Sequence, residues 1–167
     1  MSENAALDAL KSAILLERRG RTFYRKVAEQ TGSNAVKRFF DMMAEEETQH
    51  EQMLARQFKN LQENRSFDAD SLKTEDAGSA ASEVLSEEIR DQISAATYEA
   101  AAIAAAMAME KDAIDFYSRR AEETADPVEK KLYEWLTDWE RSHLDFLARI
   151  DRDLTEKIWQ DNNFWPF

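Results

Sequence analysis

Cysteine is absent from this chain of 167 residues, and only 3 glycines and 2 prolines interrupt it. The absence of cysteine excludes disulfides, thiolate zinc sites, cysteine nucleophiles and cysteine-ligated iron centres. Because an all-β protein needs many more turn residues, the composition predicts an all-α fold. The length fits one ordinary domain, so we expect a single domain over residues 1–167.

Positive charge is also scarce, since 22 Lys and Arg stand against 34 Asp and Glu, a formal net charge of −12. Binding to phosphates needs clustered Lys and Arg, so we expect no nucleic-acid partner. The most apolar run, Ala100–Met109, is far shorter than the roughly 20 residues of a membrane span, so we expect no membrane partner. The chain start shows no secretory signal, which makes a cytoplasmic location the default expectation.

Two segments of the chain repeat each other at a constant offset of 93 residues. Residues 17–54 align with residues 110–147 without insertion or deletion. The shared positions are a leading Glu, a Phe-Tyr pair, a Glu-x-x-His motif and a closing Leu: Glu17 with Glu110, Phe23-Tyr24 with Phe116-Tyr117, Glu47 and His50 with Glu140 and His143, and Leu54 with Leu147. A repeat of this length predicts a duplicated helical hairpin.

Apolar residues at 3- and 4-residue steps predict two helices in each hairpin. Gly32 lies where the C-terminal cap of the first helix belongs, and Ser33 or Asn34 can cap the second. Asp126-Pro127-Val128-Glu129 offers the fourth helix an N-cap, a first-turn proline and a capping-box Glu.

The two hairpins are separated by a polar stretch, and the chain ends in an aromatic one. Hairpin one covers about residues 5–61, and hairpin two covers about residues 92–158. The crossover between them, about residues 62–91, is expected to hold one short helix around residues 82–89. A long middle connection predicts a ferritin-like four-helix bundle. The tail, residues 159–167, is expected to dock on its own bundle, with a subunit contact as the alternative.

Each predicted hairpin offers one Glu from its first helix and a Glu-x-x-His motif from its second. Residues three apart on a helix share a face, so Glu47 with His50 can hold one metal ion. Glu140 with His143 can hold a second. Together with Glu17 and Glu110, these residues form the inward-facing ligand set of di-iron and di-manganese bundles.

A single Glu-x-x-His motif in an acidic helical protein arises easily by chance. This chain, however, has only 2 histidines, and both occupy the motif at equivalent repeat positions. The four glutamates also fall on otherwise apolar stripes, where unpaired carboxylates would be costly to bury and metal ions would neutralise them. The pattern therefore favours a dinuclear metal site. Such ligands suit two divalent transition metals, with manganese and zinc among the possible ions.

The doubled pattern Glu17-x5-Phe23-Tyr24 with Glu47-x-x-His50, repeated from Glu110 onwards, resembles the ferritin-like superfamily, and most of all the di-iron domain of rubrerythrins. The resemblance covers nearly the whole chain. It implies six ligands, with Glu47 and Glu140 as bridging carboxylates, and two iron ions as the cofactor. It also implies chemistry with hydrogen peroxide or dioxygen at an Fe(II) pair, and a homodimer.

The sequence departs from the rubrerythrin pattern in two places. A rubredoxin domain needs four cysteines, so a peroxidase of this kind would need a separate electron donor. The additional Glu that rubrerythrins carry three residues after the third-helix ligand is Ala113 here. That difference makes plain oxidation of Fe(II) at least as good an expectation as a peroxidase cycle.

Residues beside the six predicted ligands have expected roles as well. Tyr24 and Tyr117 lie two helical turns after Glu17 and Glu110, so each can donate its hydroxyl to a ligand carboxylate. Trp139 occupies the repeat position of Glu46 and is expected to pack in the core or at its rim. Glu45 and Glu46 are expected to face solvent or to line a path for ions, and not to be ligands.

The leading hypothesis is an oxidoreductase, a di-iron protein that couples Fe(II) oxidation to reduction of hydrogen peroxide or dioxygen. The alternative is a non-catalytic bundle that holds zinc or another metal in a structural or regulatory role. The same ligands would hold Zn²⁺, which has no redox chemistry. A DNA-coating mini-ferritin is disfavoured, because it would need a basic surface.

Overall fold

The computed structural model describes residues 3–72 and 98–161. This part of the chain is all-α and contains no strand. Its four long helices are α1 (Glu3–Gln30), α2 (Asn34–Asn64), α3 (Tyr98–Glu123) and α4 (Pro127–Asp161), with a short 3-10 helix at Asp70–Leu72. The first turn predicted for the third helix, the crossover helix at residues 82–89 and residues 162–167 of the tail lie outside the described residues.

The helices pair as the repeat predicts. Helix α1 packs along α2, α3 packs along α4, and α1 contacts α3 across the two hairpins. The predicted four-helix bundle of two hairpins is therefore confirmed. Among the described residues, no helix is long and apolar enough to cross a membrane.

The bundle interior consists of two apolar clusters with a polar layer between them. One cluster is centred on Phe39, Phe40 and Phe146, and the other on Leu10, Tyr133 and Leu136. Each helix passes from one cluster into the other, and its predicted metal ligands fall at the crossing point. On α1, for example, Glu17 lies between Ala13 of the second cluster and Tyr24 of the first.

Equivalent threonines of the repeat hold the turns inside the two hairpins. Thr31 Oγ1 accepts the Ser33 N–H at 3.1 Å, and its repeat partner Thr124 accepts the Asp126 N–H at 3.2 Å. Ser33 then caps α2 by accepting the Val36 N–H at 3.2 Å, as predicted. Because both hairpins turn in the same way, their second helices return at matching heights.

The C-terminal caps differ from the sequence-based expectation. Gly32 does not adopt a left-handed conformation, and the left-handed cap is Arg65, with φ 54°, at the end of α2. Arg65 N–H donates to Leu61 O at 3.0 Å, which satisfies a carbonyl at the helix end. The α1–α2 turn does without a left-handed glycine because Thr31 already supplies its hydrogen bonds.

The N-terminus of α4 is only partly as predicted. Asp126 Oδ1 accepts the N–H groups of Val128 at 2.8 Å and Glu129 at 3.1 Å, so it is the expected N-cap. Glu129 does not reach back to Asp126, whose N–H is held by Thr124. It accepts instead from Arg120 Nη2 at 2.9 Å and from Thr124 Oγ1 at 2.5 Å. The capping-box interpretation of Glu129 is therefore wrong, and its buried carboxylate joins α3 to α4.

The start of the crossover is fastened to α2 by a buried side chain. Gln57 Nε2 donates to Asp68 O at 2.8 Å, and Gln57 Oε1 accepts the Asp68 N–H at 2.8 Å. Two hydrogen bonds from one fully buried amide fix the direction in which the chain leaves the first hairpin.

Candidate metal centre

The polar layer contains all six predicted metal ligands. They come from four different helices: Glu17 from α1, Glu47 and His50 from α2, Glu110 from α3, and Glu140 and His143 from α4. None of the six is more than 6% exposed. A Glu on the first helix of each hairpin meets the Glu-x-x-His motif of the second helix because α1 packs on α2 and α3 on α4.

The ligand atoms fall into two overlapping groups. The first comprises Glu17, Glu47, His50 and Glu140, and the second comprises Glu47, Glu110, Glu140 and His143. Within each group, one ligand atom from every residue lies within 4.8 Å of all the others. Glu47 and Glu140 belong to both groups, which is the position that two carboxylates shared by neighbouring ions would take.

The ring of His50 points one nitrogen into the carboxylates. Its Nδ1 lies 3.2 Å from Glu17 Oε2, 3.3 Å from Glu47 Oε2 and 3.2 Å from Glu140 Oε1. One N–H cannot donate well to three acceptors at once. The convergence of three carboxylates on one imidazole nitrogen is instead the arrangement of donors around a cation.

The ring of His143 is oriented in the same way but is held at both nitrogens. Its Nδ1 lies 3.1 Å from Glu140 Oε2 and 3.7 Å from Glu110 Oε1. Its Nε2, on the side away from the carboxylates, lies 2.6 Å from Glu46 Oε2.

The expectation that Glu46 faces solvent is thus wrong: it reaches from α2 to a predicted ligand on α4. The helical spacing carried a signal for this, because Glu46 follows the buried Met43 by three residues and precedes His50 by four.

Trp139 lies at the rim of the centre, half-buried against both histidines, and its Nε1 is 3.1 Å from His143 Nε2. Its ring centroid is 5.2 Å from that of His50, edge-on at 88°, and 5.1 Å from that of Trp135. Rim packing is therefore what the described residues show for this side chain.

Tyr24 and Tyr117 donate their hydroxyls to ligand carboxylates of the opposite hairpin. Tyr24, on α1, donates to Glu110 Oε1, and Tyr117, on α3, donates to Glu17 Oε1. Each tyrosine is at most 1% exposed. The two hydrogen bonds cross between the hairpins, so each Glu is oriented by a helix to which it does not belong.

Protonation of the metal-free centre reflects burial and crowded carboxylates. Burial and the neighbouring charge of Glu140 raise the pKa of Glu47, and the same two causes raise the pKa of Glu110 to about 8. Burial alone would lower the pKa values of His50 and His143, but the surrounding carboxylates outweigh it and raise both. For Glu140 burial is likewise outweighed, here by hydrogen bonds from the two histidines, so its pKa is lowered.

The residues present fit a pair of divalent metal ions. The donors are carboxylates and imidazoles, which suit iron, manganese and zinc. Glu140 Oε1 is fully buried and has no hydrogen-bond partner among the described residues. It nonetheless lies 3.2 Å from His50 Nδ1. A cation bound between the carboxylates and this ring nitrogen would satisfy the buried lone pair.

A cleft between α1 and α3 leads to this layer. It has about 60 Å³ of space for water-sized molecules, and the buried Glu47 and Glu140 are among its lining residues. Gly20 on α1 and Ala113 on α3, which are repeat partners, also line it. Because both positions carry small residues, molecules of a few atoms can approach the carboxylates from this side.

Comparison with known proteins agrees with the geometry. The family model for rubrerythrin matches residues 8–151, which is most of the chain and includes every predicted ligand. The chain belongs to the rubrerythrin family. No curated protein matches it.

A solved structure, the hypothetical protein Pfu-1136390-001 from Pyrococcus furiosus, is similar with a TM-score of 0.61. It is 24% identical, and the match covers 90% of each chain. At that identity the likeness supports the fold alone. The rubrerythrin-family domain and its buried carboxylate and histidine cluster are compatible with a di-iron site.

Proposed function

We propose that this rubrerythrin-family chain is a di-iron oxidoreductase that couples oxidation of Fe(II) to reduction of hydrogen peroxide or dioxygen. The observation that carries the proposal is the pair of overlapping donor groups, buried and joined through Glu47 and Glu140. Glu17 and His50 hold one ion, and Glu110 and His143 hold the other. Two bound iron ions would supply the two electrons that reduce one peroxide molecule to water.

The residues around the two ions would bind the metal, orient the ligand carboxylates and admit the oxidant. Glu47 and Glu140 lie in both donor groups, so each would help to hold both ions. The hydroxyls of Tyr24 and Tyr117 hold Glu110 and Glu17 in place by donating to one oxygen of each.

The cleft beside Gly20 admits an oxidant of two or three heavy atoms, while the two apolar clusters close the layer from both ends. A small oxidant such as peroxide or dioxygen fits this space.

The test of this proposal starts from anaerobic protein freed of metal. Fe(II) is added, bound iron is counted by elemental analysis, and stoichiometric peroxide is added while absorbance is recorded. We expect two ions per chain and rapid appearance of a ferric absorption band. The double variant His50→Ala/His143→Ala should lose both, whereas Arg141→Ala, an exposed neighbour on α4, should not.

Two outcomes would contradict the proposal. Retained peroxide-dependent iron oxidation in the double histidine variant would place the chemistry elsewhere. If the protein binds Fe(II) but does not oxidise it, the non-catalytic bundle is favoured. Zinc found in the protein as purified would favour the same alternative.

Three further elements complete the proposal: a separate electron donor for repeated turnover, a homodimer and a cytoplasmic location. They are supported by the family resemblance and by the absence of cysteine from these 167 residues. Light scattering during gel filtration tests the dimer. Reduction of the oxidised centre by candidate small redox proteins tests the donor.

A further inference from the structure

The two histidines are repeat partners, yet their outer nitrogens meet different surroundings. His143 Nε2 lies 2.6 Å from Glu46 Oε2, whereas His50 Nε2 is buried and has no hydrogen-bond partner in the part of the chain that the structure describes. The surroundings of the two histidines differ because the repeat partner of Glu46, 93 residues later, is Trp139. A carboxylate faces one imidazole, and an indole ring faces the other at 5.2 Å.

The contact with Glu46 decides which nitrogen of His143 carries the proton. A carboxylate accepts only, so Nε2 bears a hydrogen, and Nδ1, which faces Glu140 and Glu110, is the nitrogen that can bind a metal ion once its own proton has left. Trp139 Nε1 also lies 3.1 Å from this Nε2, but a nitrogen that bears a proton cannot accept a second one. The shorter, charge-assisted contact is the one with Glu46, and that with Trp139 is packing.

A carboxylate that accepts from a ligating histidine fixes the ring and makes its other nitrogen a better donor to metal. His50 lacks this support: its Nε2 has no hydrogen-bond partner among the described residues, and the rings of Trp135 and Trp139 pack edge-on against the imidazole. The six ligands are thus symmetric, whereas the groups behind them are not.

We propose that Glu46 is a positioning residue that makes the metal position at His143 and Glu110 the tighter of the two, so that the pair fills in a fixed order. The inference rests on the proposed function in one respect, the binding of two ions by the six ligands. It adds that the two ions are inequivalent, and it assigns the cause to one residue outside the ligand set.

The experiment is anaerobic titration of the metal-free protein with Co²⁺, followed by calorimetry and by the visible absorption of the bound ion. Wild-type protein should bind two ions in two distinguishable steps. Glu46→Gln, which keeps the shape and removes the charge, should weaken the tighter step by about 10- to 100-fold and leave the weaker step unchanged. Glu45→Gln is the matched control, because it removes the same charge from an exposed neighbour.

Two backgrounds assign the effect to one histidine. In His50→Ala protein, the loss caused by Glu46→Gln should persist, because the Glu46–His143 pair is intact there. In His143→Ala protein, the same change should have no further effect. Thermal unfolding of each metal-free variant checks that the fold is kept.

The outcomes separate the inference from the proposed function. Two Co²⁺ ions of equal affinity in wild type, or equal weakening of both steps by Glu46→Gln, would overturn the inference and leave the dinuclear site standing. If Glu46→Gln weakened Co²⁺ binding just as much in the His143→Ala background, the inference would likewise be overturned and the dinuclear site would stand. Failure of the wild type to bind two ions would overturn both.

Discussion

Loading the metal-free protein with divalent ions should expel a definite number of protons from the centre. The pKa values of His50 and His143 are raised, so both rings carry a second proton at pH 6.5. Burial raises the pKa values of Glu47 and Glu110, the latter to about 8, so the Glu110 carboxyl is protonated as well and the protonated form of Glu47 is favoured. Metal ligation needs a neutral imidazole and an ionised carboxylate, so all these protons must leave.

Charge balance favours proton release in the same direction. In the metal-free centre, protons on the two imidazoles and on buried carboxyls offset the negative charge of the glutamates. Two divalent ions bring four positive charges as the protons leave. The buried layer is then close to neutral in both states, which avoids the large free-energy cost of burying net charge.

The measurement is calorimetric titration with Mn²⁺, without oxygen, in buffers of different ionisation enthalpy. The slope of observed enthalpy against buffer enthalpy gives the protons released, and we expect about three or more per pair of ions at pH 6.5, one from each histidine and one from Glu110. The count should fall at pH 8.5, because a group with a pKa of about 8 is about 97% protonated at the lower pH and about 24% at the higher. The expected fall is about 0.7 proton.

Glu110→Gln provides the control, since it removes the group that titrates between these two pH values. Its proton count should be lower by about one at pH 6.5 and should change less with pH. Release of fewer than about two protons at pH 6.5 would refute the reasoning. A wild-type count that does not fall with pH would refute the role given to Glu110.

Three further predictions concern the surroundings of the centre. Gly20→Ala should stabilise the metal-free protein by about 0.5–1 kcal/mol, as measured by urea unfolding. The change removes a mid-helix glycine, and the new Cβ would lie at an ordinary contact distance of 3.4 Å from Glu47 Oε1. A destabilised variant would contradict this prediction. Tyr24→Phe should weaken Co²⁺ binding by about 10-fold or more, while Tyr98→Phe, whose hydroxyl lies at the surface, should leave it unchanged. As the pH rises from 5 to 8, the metal-free protein should lose stability in urea unfolding, because the folded pKa of Glu110 lies above its ordinary 4.5 and folding takes up protons in that window. With metal bound, Glu110 is ionised in the folded protein, so its contribution to this loss should be absent.

The fold and the set of buried acidic residues could be predicted because both depend on spacing along single helices. The repeat aligned the two Glu-x-x-His motifs, and helical periodicity placed each on an inward stripe. No information from another helix was needed for that step. The same local logic identified Ser33 and Asp126 as caps, since each bonds N–H groups two or three residues ahead.

What the sequence left open depends on how helices are rotated against one another. Tyr24 shares a face with Glu17, but its hydroxyl reaches Glu110 because α1 contacts α3 at that height. Glu129 was expected to close a local capping box, and it joins Arg120 on the neighbouring helix instead. In each case the side chain has a possible hydrogen-bond partner nearby in sequence, Glu17 for Tyr24 and Asp126 for Glu129. It bonds instead to a residue on another helix, which only the packing of the helices brings close.

The duplicated hairpin also explains where asymmetry can arise in such a centre. A change at any ligand would leave a buried carboxylate or imidazole uncompensated, so both halves keep the same Glu and Glu-x-x-His residues. The position just before the motif is under no such constraint, because its side chain lies at the rim, where both Glu46 and Trp139 are only partly buried. A charged group in one half and an aromatic ring in the other therefore change the surroundings of each histidine without disturbing the ligand set. Differences between the two metal positions should accordingly follow from this position rather than from the six ligands.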